Sequence, residues 1–198
     1  MEALVGDWRA LWNEKELPFC FVQLAGFSDG VFDNRGTDWA ELRAAQEKTL
    51  TLPNTRMAAA YDIGEYNDLH PMNKKTLGER LSSCIKNLVY QENVICSGPK
   101  LDEVTVMDSG EVHLSFTSIG EGLCTREDQN EVFEIQLCGE NGRYENAKAW
   151  IQQDKVIASH EGITCPKGVR YAWRDCPVDA NLYNKEGLPA LPFCREWE

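Results

Sequence analysis

Apolar residues recur at helical spacing from the first residue. Met1, Leu4, Val5, Trp8, Leu11 and Trp12 follow a 3.6-residue period and predict an amphipathic helix at the start of the chain. Leu17 to Leu24 (LPFCFVQL) is an almost unbroken apolar run introduced by Pro18, the pattern of a strand buried on both faces of a parallel sheet. Thr37 can cap a second helix whose apolar positions include Trp39, Leu42, Ala45 and Leu50, with Pro53 just past its end. Met57 to Tyr61 (MAAAY) predicts another short buried strand. Asn73 then caps a third helix that places Leu77, Leu81, Cys84, Ile85 and Leu88 on one face. Helix, strand, helix, strand, helix is the alternation of βαβ units, with a right-handed crossover expected between the two strands.

The pattern changes near Tyr90. Apolar and polar residues now alternate in short runs: Val104 and Val106; Val112, Leu114 and Phe116; Phe133, Ile135 and Leu137. Turn signals separate them, among them Asp108-Ser109-Gly110, Gly120-Glu121-Gly122 and Gly139-Glu140-Asn141-Gly142. This predicts an antiparallel, all-β region folded as a small β-sandwich, with no helix after residue 90. The division is placed at 1–92 and 93–198, within a boundary zone around residues 90 to 95. Two parallel strands and three helices leave both sheet edges open, so the first part reads as the rear portion of a larger sheet, either covered by the β-region or preceded by more chain.

Composition narrows the function classes. Of 198 residues, 42% are hydrophobic and 26% charged, which excludes disordered, collagen-like and low-complexity chains. Twenty Lys and Arg against 32 Asp and Glu give a net charge of −12, which argues against nucleic acid and anionic lipid as partners. No apolar run approaches a membrane span. The eight cysteines contain no C-x-x-C pair, so neither a structural zinc site nor a disulfide scaffold is expected. They suit a reducing, cytoplasmic setting; the acidic start carries no secretory leader, although a shortened chain would have lost one.

In an open α/β sheet ligands gather beyond the carboxyl ends of the strands, which directs attention to the loop after Met57 to Tyr61. It reads Asp62-Ile63-Gly64-Glu65-Tyr66-Asn67-Asp68-Leu69-His70-Pro71. A histidine with carboxylates nearby and a proline fixing its exit can serve as an oriented general base; equally, such a segment can be a polar turn whose histidine caps a helix. His113, on the solvent side of an alternating run, and His160, in a turn, are surface positions. Gly26-Phe27-Ser28-Asp29-Gly30 matches G-x-S-x-G, but a nucleophile elbow requires the helix to begin at the serine, whereas residues 31–36 intervene before Thr37. Cys20 and Cys84 read as small core residues.

Several ordered segments carry a resemblance. Asp7-Trp8-Arg9, Leu17-Pro18-Phe19, Phe21-Val22-Gln23-Leu24-Ala25, Leu52-Pro53-Asn54-Thr55, Asn67-Asp68-Leu69-His70-Pro71, Arg170-Tyr171-Ala172-Trp173 and Asn181-Leu182-Tyr183-Asn184 closely resemble the carboxyl-terminal part of the sialate O-acetylesterase family of SGNH-type serine esterases. The resemblance implies the rear of an SGNH-type parallel α/β/α domain followed by an antiparallel β-sandwich. It also implies a cofactor-free and metal-free hydrolysis of acetyl esters on sugar hydroxyls, through an acyl-serine and a histidine base.

His70 matches the family's catalytic histidine. The acid is open between Asp68, Asp62 and a residue upstream in the family's W-x-Q-G-E segment, because Asn67 stands where such esterases often carry aspartate. Gln23 and Asn67 are candidates for substrate contact, Arg56 and Arg170 for a basic group beside it, and Tyr66 for stacking on a sugar. Neither the family's G-Q-S-N nucleophile motif nor W-x-Q-G-E occurs in these 198 residues. The expectation is negligible esterase activity for the isolated chain, with a separate chain carrying the nucleophile half as one way to complete it. The alternative is a non-catalytic carbohydrate-binding or accessory β-module with a vestigial esterase segment.

Overall fold

The computed structural model describes residues 1–28 and 37–197. The five elements predicted for the first part are present in order: α1 (Glu2–Leu11), β1 (Phe19–Val22), α2 (Asp38–Lys48), β2 (Thr55–Ala58) and α3 (Lys74–Leu88). β1 and β2 pair in parallel, Phe19 opposite Thr55 and Val22 opposite Ala58. Arg9, in the last turn of α1, donates to the carbonyls of Leu17 at 3.0 Å and Pro53 at 2.7 Å, fastening that helix where the chain enters both strands. The Asn73 cap is made, its side chain accepting from the Thr76 amide at 3.2 Å. Thr37 occupies the N-cap of α2 without a side-chain bond; Asp175 Oδ1 takes the Trp39 amide instead, at 2.9 Å.

Three faces differ from the periodicity. On α1 only Val5 is buried, while Leu4, Trp8, Leu11 and Trp12 are exposed, so the apolar stripe is turned outward. On α2 the buried positions are Ala40 and Arg43, and Leu42 is 52% exposed. Its inward face is set by a cation that finds carbonyl partners, a signal invisible to hydrophobicity. β1 buries only Phe21 fully, whereas β2 buries Thr55, Met57 and Ala58, although each is an edge of the two-stranded sheet. At the end of β1 the Gln46 side chain of α2 stands where another strand would: its Oε1 accepts from the Leu24 amide at 2.8 Å and its Nε2 donates to the Val22 carbonyl at 3.3 Å.

The second part is antiparallel in every pairing among the described residues. β3 (Lys100–Val106), β4 (Val112–Thr117), β8 (Lys148–Gln152) and β9 (Lys155–Ser159) form one sheet in the order β3-β4-β9-β8. β6 (Ile135–Cys138), β7 (Tyr144–Asn146), β10 (Gly168–Tyr171) and β12 (Phe193–Glu196) form another in the order β12-β10-β6-β7. β5 (Leu123–Thr125) and β11 (Leu182–Asn184) make a two-stranded ribbon. The molecule is thus mixed, mostly antiparallel, with few helices.

Alternation explains β4, where Val112, Leu114 and Phe116 point inward. β6 is buried at all four positions. Its Gln136 survives there because Arg170 Nε donates to it at 2.6 Å and it donates to Asn146 Oδ1 at 2.8 Å.

One apolar core crosses residue 92. Phe21, Met57, Ala59 and Tyr61 share it with Leu114, Leu137, Val156, Tyr171, Leu182 and Phe193. Burial of those side chains, each worth about 1.5 to 3 kcal/mol against solvent exposure, is the main force joining the two parts. Among the described residues no helix is long and apolar enough to cross a membrane.

Candidate active site

The segments that leave the carboxyl ends of β1 and β2 meet backbone to backbone. A Cβ on Gly26 would lie 2.9 Å from the Tyr61 carbonyl oxygen, and one on Gly64 would lie 3.1 Å from the Gly26 oxygen. Both positions therefore need glycine for the approach itself. Ser28 N–H donates to the Tyr66 carbonyl at 2.6 Å, and Phe27 N–H to the Asp175 carbonyl at 3.2 Å. Asp29 and Gly30 of the G-x-S-x-G match, with 31–36 behind them, lie outside the described residues.

The loop after β2 carries the histidine outward. Asp68 N–H donates to the Glu65 carbonyl at 3.1 Å, and the Met72 amide closes the turn on Glu65 Oε2 at 3.3 Å. Asp68 Oδ1 accepts the His70 backbone amide at 2.8 Å and sits 3.5 Å from His70 Nδ1. The imidazole is 85% exposed and the carboxylate 48%, while Pro71 is buried and anchors the exit into α3. An acidic oxygen against Nδ1, with the remainder of the ring open, is the orientation of an imidazole that accepts a proton at Nε2. Asn67 is exposed beside Asp68, and Tyr66 is exposed on the same loop.

Asp62 goes elsewhere. Arg80 of α3 grips it with two hydrogen bonds, 2.6 and 2.7 Å, and both side chains are almost fully buried. Tyr183 Oη of β11 donates to Asp62 Oδ2 at 3.0 Å and itself accepts from Arg126 Nη2 at 2.8 Å. The first residue of the histidine loop is therefore tied to α3 and to the β-region at once. Gln23 is also turned away from the loop: it is buried, and its Nε2 donates to the Arg43 carbonyl at 3.2 Å. Arg56 donates to Asn87, and Arg170 lies 4.2 Å over the Tyr144 ring. Of the candidates named from sequence, Asp68 and His70 are brought together, with Asn67 and Tyr66 on the same rim.

Beside Arg80, two more structural cations escaped the periodicity. Arg43 is fully buried, donates to the carbonyls of Ala25, Asp175 and Arg174, and is drawn down to about 10 by burial. It links the loop after β1 to the 174–175 turn. Arg126 becomes visible only once Tyr183 is known to be its neighbour.

Burial, reinforced by Asp62, pushes the Tyr183 phenol up to about 12. Burial likewise raises Tyr61, Tyr144 and Tyr171. A group whose pKa is raised by folding keeps its proton longer in the native state, so stability falls as pH climbs from about 10 toward 12. Arg43 and Arg170, both lowered by burial, act in the opposite sense but are two groups against four. Urea midpoints should therefore be lower at pH 11 than at pH 8, and Tyr183→Phe should flatten part of that slope. An equal or higher midpoint at pH 11 would contradict the burial of these phenols.

No protein-family profile matches the chain, and no curated protein does. Among solved structures, the crystal structure of a novel carbohydrate acetylesterase from Xanthomonas citri aligns with a TM-score of 0.91 at 37% identity, over 99% of this chain and 45% of the other. The chain thus spans somewhat less than half the length of that solved structure.

Proposed function

We propose that these residues form the histidine-bearing part of a carbohydrate O-acetylesterase. The single observation that carries the reading is His70: exposed on a strand-end loop, Nδ1 facing Asp68 at 3.5 Å, in a chain 37% identical to a carbohydrate acetylesterase. His70 acts as general base and Asp68 as the carboxylate that orients it; Asn67 and Tyr66 border the substrate. The serine comes from polypeptide outside these 198 residues. Its hydroxyl proton passes to His70 Nε2 as Oγ attacks the acetyl carbonyl. The imidazolium then returns that proton to the departing sugar oxygen, and water attacks the acyl-serine with the same base accepting its proton. Asp68 favours the imidazolium that forms in both steps. The substrate is an acetylated sugar hydroxyl, with O-acetylated sialate as the specific member that the family resemblance suggests.

A chimera in which this chain replaces the matched 45% of the Xanthomonas citri acetylesterase tests the reading. It should release acetate from O-acetylated saccharides, while the 198-residue chain alone hydrolyses p-nitrophenyl acetate no faster than an unrelated protein of equal charge. A folded chimera without activity would refute the proposal.

The alternative of a carbohydrate-binding module has one observation in its favour. An open cleft of about 480 Å³ is lined by Gln136, Tyr144, Asn146, Arg170 and Trp173, planar polar and aromatic groups of the kind that hold sugars. Saccharide binding by the isolated chain, lost in Trp173→Ala while chimera activity persists, would favour it.

A further inference from the structure

Three thiols and a guanidinium converge where α3, the β1–β2 sheet and the segment leading into β3 meet. Cys84, on α3, is completely buried, and its Sγ donates to the Cys96 carbonyl at 3.6 Å. The Cys96 side chain, only half-buried, lies close enough for the two thiols to act on each other. Cys20 and Arg56 stand opposite each other in the register of β1 and β2 and act electrostatically on the same pair of sulfurs. Asn87 of α3 assembles the cluster: its Oδ1 accepts from Arg56 Nε at 2.9 Å, and its Nδ2 donates to the Val94 carbonyl at 3.2 Å, drawing the 89–96 segment onto the helix. All eight cysteines are free thiols, so the pair is in its reduced form.

We infer that Cys96 and Cys84 constitute a dithiol oxidation site, in which the half-exposed Cys96 sulfur attacks a small-molecule disulfide and the buried Cys84 resolves the adduct. The esterase reading uses neither residue, so the two proposals stand or fall apart. The arrangement separates the two tasks such a site needs. An attacking sulfur must be reachable and held as thiolate. The neighbouring Cys84 side chain, and then the Arg56 guanidinium, favour that form at Cys96 over the opposing effect of burial. A resolving sulfur must be adjacent but shielded, and Cys84 is kept protonated by the neighbouring Cys96 side chain and by its burial.

The exchange balances with a disulfide such as oxidised glutathione. Cys96 thiolate displaces one glutathione thiolate and forms a mixed disulfide. Cys84 loses its proton to the released thiolate and attacks the Cys96 sulfur, expelling the second glutathione. The protein gives up two electrons and the Cys84 proton; one glutathione is produced as thiol, and the second leaves as thiolate and takes its proton from water.

The chain is incubated with oxidised glutathione at pH 7, alkylated under denaturing conditions and digested without reduction. The expected result is loss of two of the eight alkylatable thiols, with Cys84 and Cys96 recovered in one cross-linked peptide pair. In Cys96→Ser the cross-link is absent and Cys84 remains alkylatable. At short times in the native state, iodoacetamide should label Cys96 ahead of the more exposed Cys165, because thiolate character outweighs access. A Cys20–Cys96 link, a stable glutathione adduct on Cys96 with Cys84 still free, or retention of all eight thiols would each overturn the assignment.

Discussion

Replacing His70 by alanine is expected to lower kcat/KM of the chimeric esterase by about 10³ to 10⁴-fold, a loss of roughly 4 to 5.5 kcal/mol of transition-state stabilisation. In the proposed reaction the imidazole accepts and returns a proton in both halves, so its removal would not be compensated by better binding of the sugar. The unfolding midpoint should hardly move. The side chain is 85% exposed, and exposed substitutions away from caps and special backbone typically change stability by under about 0.5 kcal/mol. Kinetics with an acetylated oligosaccharide, beside urea denaturation of the same sample, separate the two effects. Retention of full activity would mean that another base serves the serine.

Asp62→Ala should do the reverse. The carboxylate sits 2.6 and 2.7 Å from the Arg80 guanidinium with both side chains buried. Removing it leaves an uncompensated cation in the interior, at a cost of about 3 to 5 kcal/mol. Tyr183 loses its acceptor in the same stroke. Urea unfolding should register the loss directly, and an accompanying Arg80→Met substitution should recover much of it, since the stranded charge is then gone. A loss below about 1 kcal/mol would show that the pair is solvated in solution and bears little of the loop's anchorage. Activity of the chimera would fall as a secondary effect of loosening the chain six residues before Asp68, with KM and kcat both altered.

The regular elements could be read from the sequence because each obeys one short-range rule. Asn73 predicted the start of α3, and alternation at Val112, Leu114 and Phe116 predicted β4. That a carboxylate stands beside His70 could be read because Asp68 is two residues away in the same loop. What escaped depends on neighbours distant in sequence. Arg43 looks like a surface residue of a polar helix until its carbonyl partners at residues 25, 174 and 175 are known. Asp62, from its spacing, could orient His70, yet Arg80 and Tyr183 claim it from 18 and 121 residues away. Gln23, apt for a pocket at the end of a strand, is committed to α2. The outward stripe of α1 shows the remaining gap: periodicity finds an apolar face without saying against what it packs.

The amide of Gln46 bears on how this chain behaves in a crowded solution. By occupying the Leu24 amide and the Val22 carbonyl, it removes from the rim of the parallel pair two of the peptide groups that a second molecule would use to dock its own rim there. A copy stacking at that end of the strand would first have to break both contacts, so one uncharged side chain guards that end of the margin where a longer β-ladder would otherwise lie.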